Sequence, residues 1–307
     1  MEKQINANKY SVQTLDLEFM GFPGTIAAYL IPNRHGVTLV ECGPGSTLDS
    51  LERSLIKHGY NLKDVNAVLL THIHLDHAGS AGALSRLGAD IYVHHVGAPH
   101  LLNPEKLLSS AARIYGDMME ELWGEMLPVM PDRLNSLRDG QIIEIGGSRF
   151  RPKDTPGHAN HHLAYIYKDI CFSGDIGGIR LFGLSHLRLP MPPPELHLGK
   201  WRESISKLLD EDISIIAPTH FGMYTDPRSH LTNLTEELEI IDQWINYTMQ
   251  TQPTLEELKI RLNHWMLEKS NEDGLTQDQM EAYEVVNPSW MSALGIYRYW
   301  QKNVANQ

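Results

Sequence analysis

The chain has 307 residues, 42% of them hydrophobic and 21% charged, which is enough material for a large core in one or two domains. Its formal net charge of −12, with no run of Lys or Arg, argues against binding to nucleic acid. Cys42 and Cys171 are too few for a disulfide framework, and the sequence has neither a start like a signal peptide nor an apolar run of membrane-span length, so we expect a cytoplasmic protein with no membrane role.

Short apolar runs rich in β-branched residues alternate with turns over the first two thirds of the chain. Bounded by Gly, Pro or Asn, such runs predict strands. The predicted strands are GTIAAYLIP (24–32), GVTLVECG (36–43), VNAVLLTH (65–72), ADIYVHH (89–95), QIIEIGGSRFRPKD (141–154), LAYIYKDICFSGD (163–175) and ISIIAPTH (213–220). Helices are predicted at 46–59, where Gly59 ends the pattern, and at 80–88. Alternating strands and helices predict an α/β layered fold.

Two regions depart from this alternation. Residues 104–127 carry apolar side chains at helical spacing, which predicts a helical insertion over about residues 100–135. After Asp226 the helical pattern is nearly continuous and strand signals are few. We therefore predict a first domain over residues 1–225 and a C-terminal helical region over residues 226–307.

Residue types that bind metals follow several predicted strands at the point where each strand ends. The run VNAVLL leads into Thr-His-Ile-His-Leu-Asp-His at residues 71–77, and later runs lead to His158, Asp175 and His220. Because open α/β sheets bind ligands at the carboxyl ends of their strands, we expect these side chains to meet at one sheet edge.

The spacing within residues 72–77 suits two neighbouring metal ions. In an extended segment His72, His74 and Asp76 point to one side. His77 joins them where the small residues of HAGSAG let the chain turn into a helix. Catalytic zinc takes three protein ligands and keeps a position open, and iron or manganese accept similar donors. The predicted ligands are His72, His74 and His158 for one ion, Asp76, His77 and His220 for the other, and Asp175 as a bridge.

These motifs, in this order, resemble the metallo-β-lactamase superfamily over roughly residues 15–222. The resemblance rests on the His-x-His-x-Asp-His segment, the TPGH that ends at His158, the SGD that ends at Asp175 and the PTH that ends at His220. It implies a four-layer αβ/βα sandwich of the glyoxalase II-like or lactonase-like branch, here with a helical C-terminal extension. It also implies the ligand set given above.

Two further residues have expected roles from this resemblance. Where the family usually has an aspartate that hydrogen-bonds a ligand histidine, this chain has Glu41, whose carboxylate is expected to do the same. His162 lies where the family often repeats a histidine, and we expect it behind the ligands. The remaining histidines considered are interpreted as structural or surface residues: His94, His95, His100, His161, His186 and His197.

The pattern predicts a dinuclear hydrolase, most simply with two Zn²⁺ ions, that acts on a small ester, thioester or lactone. A hydroxide that bridges the metals would attack the carbonyl, and Asp76 would move a proton to the leaving group. The Gly- and Pro-rich stretch after Asp175 is a candidate pocket wall that suits an apolar or acyl group. The helical pattern over residues 104–127 is compatible with either core packing or a lid over the metal site. Trp244 and Trp265 are compatible with a cover over the pocket, a dimer interface or the core.

Other chemistries on the same scaffold are less well supported. Persulfide dioxygenases resemble it but hold one iron with two histidines and an aspartate, and the presence of Asp76 and His220 favours two metals. A nuclease is disfavoured by the acidic charge. Lactonases usually carry a tyrosine where this chain has Gly178, so Tyr115 or Tyr224 would have to substitute. The six basic and thirteen acidic residues after position 225 disfavour an anionic glutathione conjugate.

Overall fold

The computed structural model describes residues 11–303. The strands are β1 Gln13–Asp16, β2 Ala27–Asn33, β3 Gly36–Val40, β4 Val65–Leu69, β5 Asp90–His94, β6 Leu134–Leu137, β7 Ile143–Ile145, β8 Ser148–Asp154, β9 Leu163–Tyr167, β10 Ile170–Phe172 and β11 Ile215–Ala217. The helices are α1 Leu48–Lys57, α2 Leu75–Ala78, α3 Ala81–Arg86, α4 Ala98–Leu102, α5 Glu105–Tyr115, α6 Met119–Trp123, α7 Leu198–Leu209, α8 Pro227–Met249, α9 Leu255–Glu272, α10 Gln277–Val286 and α11 Ser289–Asn303.

The strands form two mixed sheets. The first has the order β1-β2-β3-β4-β5-β6, and the second has the order β11-β10-β9-β8-β7. Side chains alternate across each strand, so Tyr29 and Tyr165 pack between the sheets while Leu30 and Ile166 face the helices outside. The result is a helix–sheet–sheet–helix sandwich, which confirms the predicted fold class.

The C-terminal helices extend the outer layer of the second sheet. Leu234 of α8, Leu258 of α9 and Ile296 of α11 belong to the same buried cluster as Ile166 of β9. The rings of Trp244 and Trp265 lie 5.5 Å apart between α8 and α9, at the border of this cluster. The boundary near Asp226 between the first domain and the C-terminal helical region over residues 226–307 stays a prediction. Within residues 11–303, no helix combines the length and apolar character needed to cross a bilayer.

The structure departs from the predicted elements where glycine changes the chain direction. Gly116, with a φ of 54°, ends α5, so the pattern over 104–127 is two helices and a turn. Gly146 and Gly147, both with positive φ, divide the run 141–154 into a hairpin of β7 and β8. Strands β1 and β6, each only four residues long, were not predicted, nor was α7.

Both cysteines are buried free thiols, in agreement with the absence of a disulfide framework. Burial raises the pKa of the Cys171 thiol to about 12, and burial likewise raises the pKa of Cys42. Protonated, buried thiols are poor nucleophiles and poor metal ligands. The chemistry of this fold therefore has to come from other side chains.

Candidate metal centre

The segment after β4 brings four candidate ligands to the edge of the first sheet. His72 and His74 precede α2, whereas Asp76 and His77 lie in its first turn. In an extended chain, Asp76 would point to the same side as His72 and His74. Because α2 begins at Leu75, Asp76 does not point to that side, and this part of the prediction is wrong. The early turn separates the segment into two pairs of side chains.

The first pair completes a group of three imidazoles with His158. His74 Nδ1 lies 2.9 Å from His72 Nε2 and 2.9 Å from His158 Nε2. His158 Nδ1 donates to the Pro190 carbonyl at 2.9 Å, and His72 Nδ1 lies 3.1 Å from Thr71 Oγ1. When Nδ1 carries the proton in both His72 and His158, the Nε2 lone pairs of these two residues point toward His74 Nδ1. A cation at this point would satisfy all three nitrogens.

The second pair forms a group with His220. Asp76 Oδ2 lies 3.4 Å from both His77 Nε2 and His220 Nε2. His220 Nδ1 donates to the Thr25 carbonyl at 3.0 Å, and His77 Nδ1 donates to Glu41 Oε1 at 2.9 Å. Among the described residues, His77 Nε2 is buried without a hydrogen-bond partner. A buried, unpartnered nitrogen beside a carboxylate also fits a cation.

Asp175 lies between the two groups. Its Oδ1 is 3.2 Å from His77 Nε2 and 3.4 Å from His220 Nε2, while its Oδ2 is 3.3 Å from His158 Nε2. The carboxylate therefore turns one oxygen toward each group. Asp175 Oδ1 is buried and lacks a hydrogen-bond partner within the described part of the chain. This is the geometry expected of the predicted bridge.

The carboxylates and the imidazoles of the first group have the protonation states that metal binding needs. Burial lowers the pKa of His72 and His74 well below the ordinary value, and neighbouring imidazoles add to the effect. Burial raises the pKa of Asp76 and Asp175, but the facing imidazoles outweigh it and hold both carboxyls below their ordinary value. Burial lowers the pKa of His220, but the two carboxylates outweigh it and raise it to about 9. Burial also lowers the pKa of His77, but the facing carboxylates outweigh it and raise the pKa well above its ordinary value. Neutral imidazoles and anionic carboxylates are the ligand forms, so His77 and His220 would each release a proton when a cation binds.

Glu41 lies beneath the second group and is fully buried. Its carboxylate accepts hydrogen bonds from the Thr71 backbone and side chain at 3.2 and 2.5 Å, from His77 Nδ1 at 2.9 Å and from Thr219 Oγ1 at 3.0 Å. Glu41, His72 and His77 are also close enough to be considered a third cation group. Because Glu41 contacts His77 through the nitrogen opposite Asp76 and is already engaged four times, we interpret it as the residue that orients His77.

His162 lies behind the first group. Its Nδ1 is 2.8 Å from Thr155 Oγ1, and its Nε2 accepts from the Ile176 backbone at 3.5 Å. Both ring nitrogens thus contact the protein, and the second contact supports the turn that carries Asp175. This placement corresponds to the role expected from the sequence.

Most of the other histidines contribute to the fold. His94 pairs with Asp154, His186 pairs with Asp273, and His197 caps the N-terminus of α7. His161 lies much nearer the centre than the sequence indicated, because its ring is 5.8 Å from that of His74 and only 8% of the residue is exposed. In the sequence, the position of His161 directly before His162 could have indicated that it lies near the centre.

The ligand groups lie at the bottom of an open cleft of about 780 Å³. Its walls come from α5 and α6, from the proline-rich segment 190–194 and from the junction of α10 and α11. The lining residues are His74, Leu75, Asp76, Leu107, Ser110, Ala111, Ile114, Tyr115, Trp123, His158, Asp175, Ile179, Pro190, Pro192, Pro193, Pro194, His220, Val286, Asn287 and Met291. The insertion and the C-terminal helices therefore both border the centre, as does the stretch after Asp175.

Tyr115 joins the two helical walls. Its hydroxyl donates to Met291 Sδ at 2.7 Å, and its ring packs 5.1 Å from that of Trp123. Tyr224, the other tyrosine considered from the sequence, donates to the Arg180 carbonyl and is not among the described residues that line the cleft. Tyr115 is thus the tyrosine that faces the centre.

Comparison with known proteins agrees with this architecture. Residues 21–220 match the sequence profile of the metallo-beta-lactamase superfamily. The chain belongs to the metallo-β-lactamase superfamily. Divalent metal ions are the cofactors that this fold implies, and the two side-chain groups at the sheet edge offer donors that suit them.

Individual relatives within the superfamily are distant. The metallo-beta-lactamase fold-containing protein ST1585 of Sulfurisphaera tokodaii is 23% identical over 225 residues, 71% of this chain and 82% of that one. Hydroxyacylglutathione hydrolase GloC of Haemophilus influenzae is 30% identical over 187 residues, 59% of this chain and 79% of that one. The crystal structure of metallo-beta-lactamase family protein TTHA1429 from Thermus thermophilus superposes with a TM-score of 0.66 at 24% identity, and covers 96% of this chain and 94% of that one. The fold similarity therefore extends beyond β11 to the C-terminal helices.

Proposed function

We propose that the protein is a dinuclear metal-dependent hydrolase of a small ester, thioester or lactone. The observation that carries the proposal is the position of Asp175, with one oxygen toward each of two three-residue ligand groups. The residues that would hold the ions are His72, His74 and His158 for the first, Asp76, His77 and His220 for the second, and Asp175 for both. Zinc suits these donors, and iron or manganese are the other candidates.

Asp76 is the proposed proton carrier. When bound at these residues, two divalent ions would supply a nucleophilic water at neutral pH and would polarise a carbonyl group. Of the two carboxylates in the centre, Asp76 is the more accessible, with 18% of its side chain exposed against 4% for Asp175. Burial raises the pKa of Asp76, but the facing imidazoles hold it below the ordinary value, so the carboxylate is ionised. Its proposed role in proton transfer therefore rests on its accessible position and not on its basicity.

The cleft supports a substrate with an apolar part. Leu107, Ile114, Trp123 and Met291 lie above the ligand groups and leave room for a hydrocarbon chain or ring. These side chains also limit the water around a bound ester, so that its carbonyl meets the ligand groups in a partly dry environment. Such walls give a nuclease no cationic surface for a phosphate backbone.

A mononuclear oxidoreductase remains the alternative to the hydrolase. That chemistry needs one iron with two histidines and one aspartate. The group of Asp76, His77 and His220 would then have no function in the reaction, although all three side chains converge and His77 Nε2 is left without a partner among the described residues. The second group therefore favours the hydrolase.

The test is a panel of neutral esters, thioesters and lactones, presented to protein stripped by a chelator and to the same protein reloaded with zinc. We expect hydrolysis only after reloading. His158→Ala should abolish it, whereas His264→Ala, which removes an exposed histidine on α9, should not. The absence of hydrolysis across the panel, together with oxygen uptake on persulfides by iron-loaded protein, would replace the proposal with the oxidoreductase.

A further inference from the structure

We infer, on the basis of the proposed hydrolase function, that the cleft selects neutral substrates with a hydrocarbon acyl part and discriminates against thioesters of anionic thiols. Glutathione conjugates and other acidic thioesters would then be poor substrates. The Haemophilus influenzae relative is named a hydroxyacylglutathione hydrolase. The two proteins would then differ in the substrates that they accept.

Away from the candidate ligands, the described lining of the cleft offers no positive side chain to an anion. Among the described residues that line it, none is Lys or Arg. Away from the candidate ligands, its polar side chains are those of Ser110, Tyr115 and Asn287, which are all neutral. The Tyr115 hydroxyl is directed at Met291 Sδ. A carboxylate or phosphate held against these walls, away from the ligand groups, would therefore lose water and gain no counter-charge.

The arginines behind the walls are already compensated. Arg188 donates to the Asn287 carbonyl at 3.2 Å, but its guanidinium is paired with Glu284 at 2.8 Å. Arg180, whose backbone contacts the His220 carbonyl, pairs its guanidinium with Asp226 at 2.9 Å. Recruiting Arg188 for a substrate would leave the half-buried carboxylate of Glu284 unpaired, which is costly. Arg180 pairs with the exposed Asp226 and also donates to the Leu184 carbonyl, so its guanidinium is engaged as well.

The segment that supplies one wall of the cleft also has a net negative charge. Residues 104–127, which supply the α5–α6 wall, contain five Asp or Glu and two Lys or Arg. The exposed side chain of Ser110 lies where this wall meets solvent. An acidic thiol that projects past Ser110 would meet a net negative segment on a chain of net charge −12. A neutral group at the same place would meet no such repulsion.

The inference can be tested by binding, independently of turnover. Zinc-loaded full-length protein is titrated by calorimetry with three non-hydrolysable thioethers that share a hexyl chain. S-hexyl-N-acetylcysteamine is small and neutral, S-hexylglutathione is anionic, and N-acetyl-S-hexylglutathione bis(ethylamide) is neutral but as large as the tripeptide. We expect both neutral compounds to bind at least tenfold more tightly than S-hexylglutathione. Equal or tighter binding of S-hexylglutathione would overturn the inference, and so would equally weak binding of the bis(ethylamide), because size would then explain the discrimination.

A variant that adds a positive charge tests whether the lack of such a charge causes the discrimination against anions. Ser110→Lys places a cation at the edge of the cleft, and Ser110→Gln is its neutral control of similar length. We expect the lysine variant to improve binding of S-hexylglutathione about three- to tenfold at low salt, with the neutral compounds unchanged and the effect lost at high salt. No gain in the lysine variant, or the same gain in the glutamine variant, would contradict the role assigned to missing positive charge.

Turnover separates this inference from the proposed function. If the neutral thioethers bind preferentially but the corresponding thioesters, esters and lactones are not hydrolysed, the hydrolase proposal fails and the charge selectivity stands. If neutral and glutathione thioesters are hydrolysed with equal kcat/KM, the hydrolase stands and the charge selectivity fails.

Discussion

Glu41 Oε1 lies 2.9 Å from His77 Nδ1, so the glutamate side chain reaches this histidine although the family resemblance leads us to expect a shorter aspartate at position 41. Glu41 adopts a φ of 65°, a conformation seldom taken by residues other than glycine. Thr71 and Thr219 hold its carboxylate in place. The extra methylene is therefore accommodated by the backbone and by two threonines that flank ligand histidines in the sequence.

Glu41→Gln should weaken the second metal position. The amide keeps the size of the side chain but removes the charged acceptor for His77 Nδ1, and loss of such a partner lowers metal affinity about 10- to 100-fold. Zinc titration against a competing chelator would show one tight and one weakened ion, while Glu239→Gln, on the exposed face of α8, should retain two tight ions. An unchanged second affinity in a folded Glu41→Gln protein would argue that Glu41 does not orient His77.

Asp76→Asn should lower turnover more than it lowers metal content. The amide can still offer an oxygen to the second ion, but it cannot take up a proton. We expect kcat to fall about 100-fold or more, within the range attributed to general acid–base catalysis, in protein that keeps most of its metal. The measurement is kcat together with elemental analysis of the same sample. An equal loss of kcat and of metal content would indicate that Asp76 acts as a metal ligand and not in proton transfer.

Ala111→Leu should shorten the preferred acyl chain. Ala111 is buried and lines the cleft, so a larger side chain fills space that a substrate chain would occupy. In the native protein each added methylene should raise kcat/KM about three- to fourfold until the cleft is full. In the Ala111→Leu variant, the rise in kcat/KM should stop at a shorter acyl chain. Ala112→Leu, which places the same change on the exposed face of α5, should keep the native profile; identical profiles for both variants would place the acyl chain elsewhere.

Protonation of His230 should make the fold sensitive to acid. Burial lowers the pKa of His230 from 6.5 to about 4, against the effect of its hydrogen bond to the Gly177 carbonyl, and Arg180 donates to the other ring nitrogen. Because the folded pKa lies below the unfolded one, the unfolded chain takes up the proton first. The stabilising contribution is therefore complete above about pH 6.5 and is lost as the pH falls toward 4, by about 2 kcal/mol between pH 7 and pH 5.

Urea unfolding at these two pH values measures that loss. His230→Gln should be less stable than the native protein at pH 7, since a buried hydrogen-bonded ring is lost, but its stability should fall less on acidification. Protonation of the metal ligands affects both proteins alike and cancels in the comparison. His264→Gln, an exposed change on α9, should keep the native pH dependence. A His230→Gln protein with the same acid sensitivity as the native chain would rule out this role.

The candidate ligands were predictable because each follows a strand and the strands of one fold end at a common edge. The segment 72–77 contains its own signal, since four donor residues lie within six positions. The periodicity of α8 and α9 was equally clear. Strand β6 was harder to detect, because a four-residue strand with only one fully buried side chain, Leu137, has little pattern of its own.

The walls of the cleft could not be derived in the same way. Trp123 and Met291 are apolar residues on amphipathic helices, and such a pattern predicts burial without naming the partner. Their contribution to the cleft depends on the packing of α5 and α6 against α11, which brings together residues 176 positions apart in the Tyr115–Met291 hydrogen bond. The break at Gly116 was recognisable as a glycine, but its positive φ is a tertiary outcome.

The most direct test of the dinuclear centre is the metal content of protein purified without chelators or metal-affinity steps. Elemental analysis should find about two divalent ions per chain, and about one in His220→Ala, which keeps the first ligand group intact. One iron per native chain, with no second ion taken up on titration with zinc or manganese, would contradict the assignment of Asp175 as a bridge and with it the proposed hydrolase.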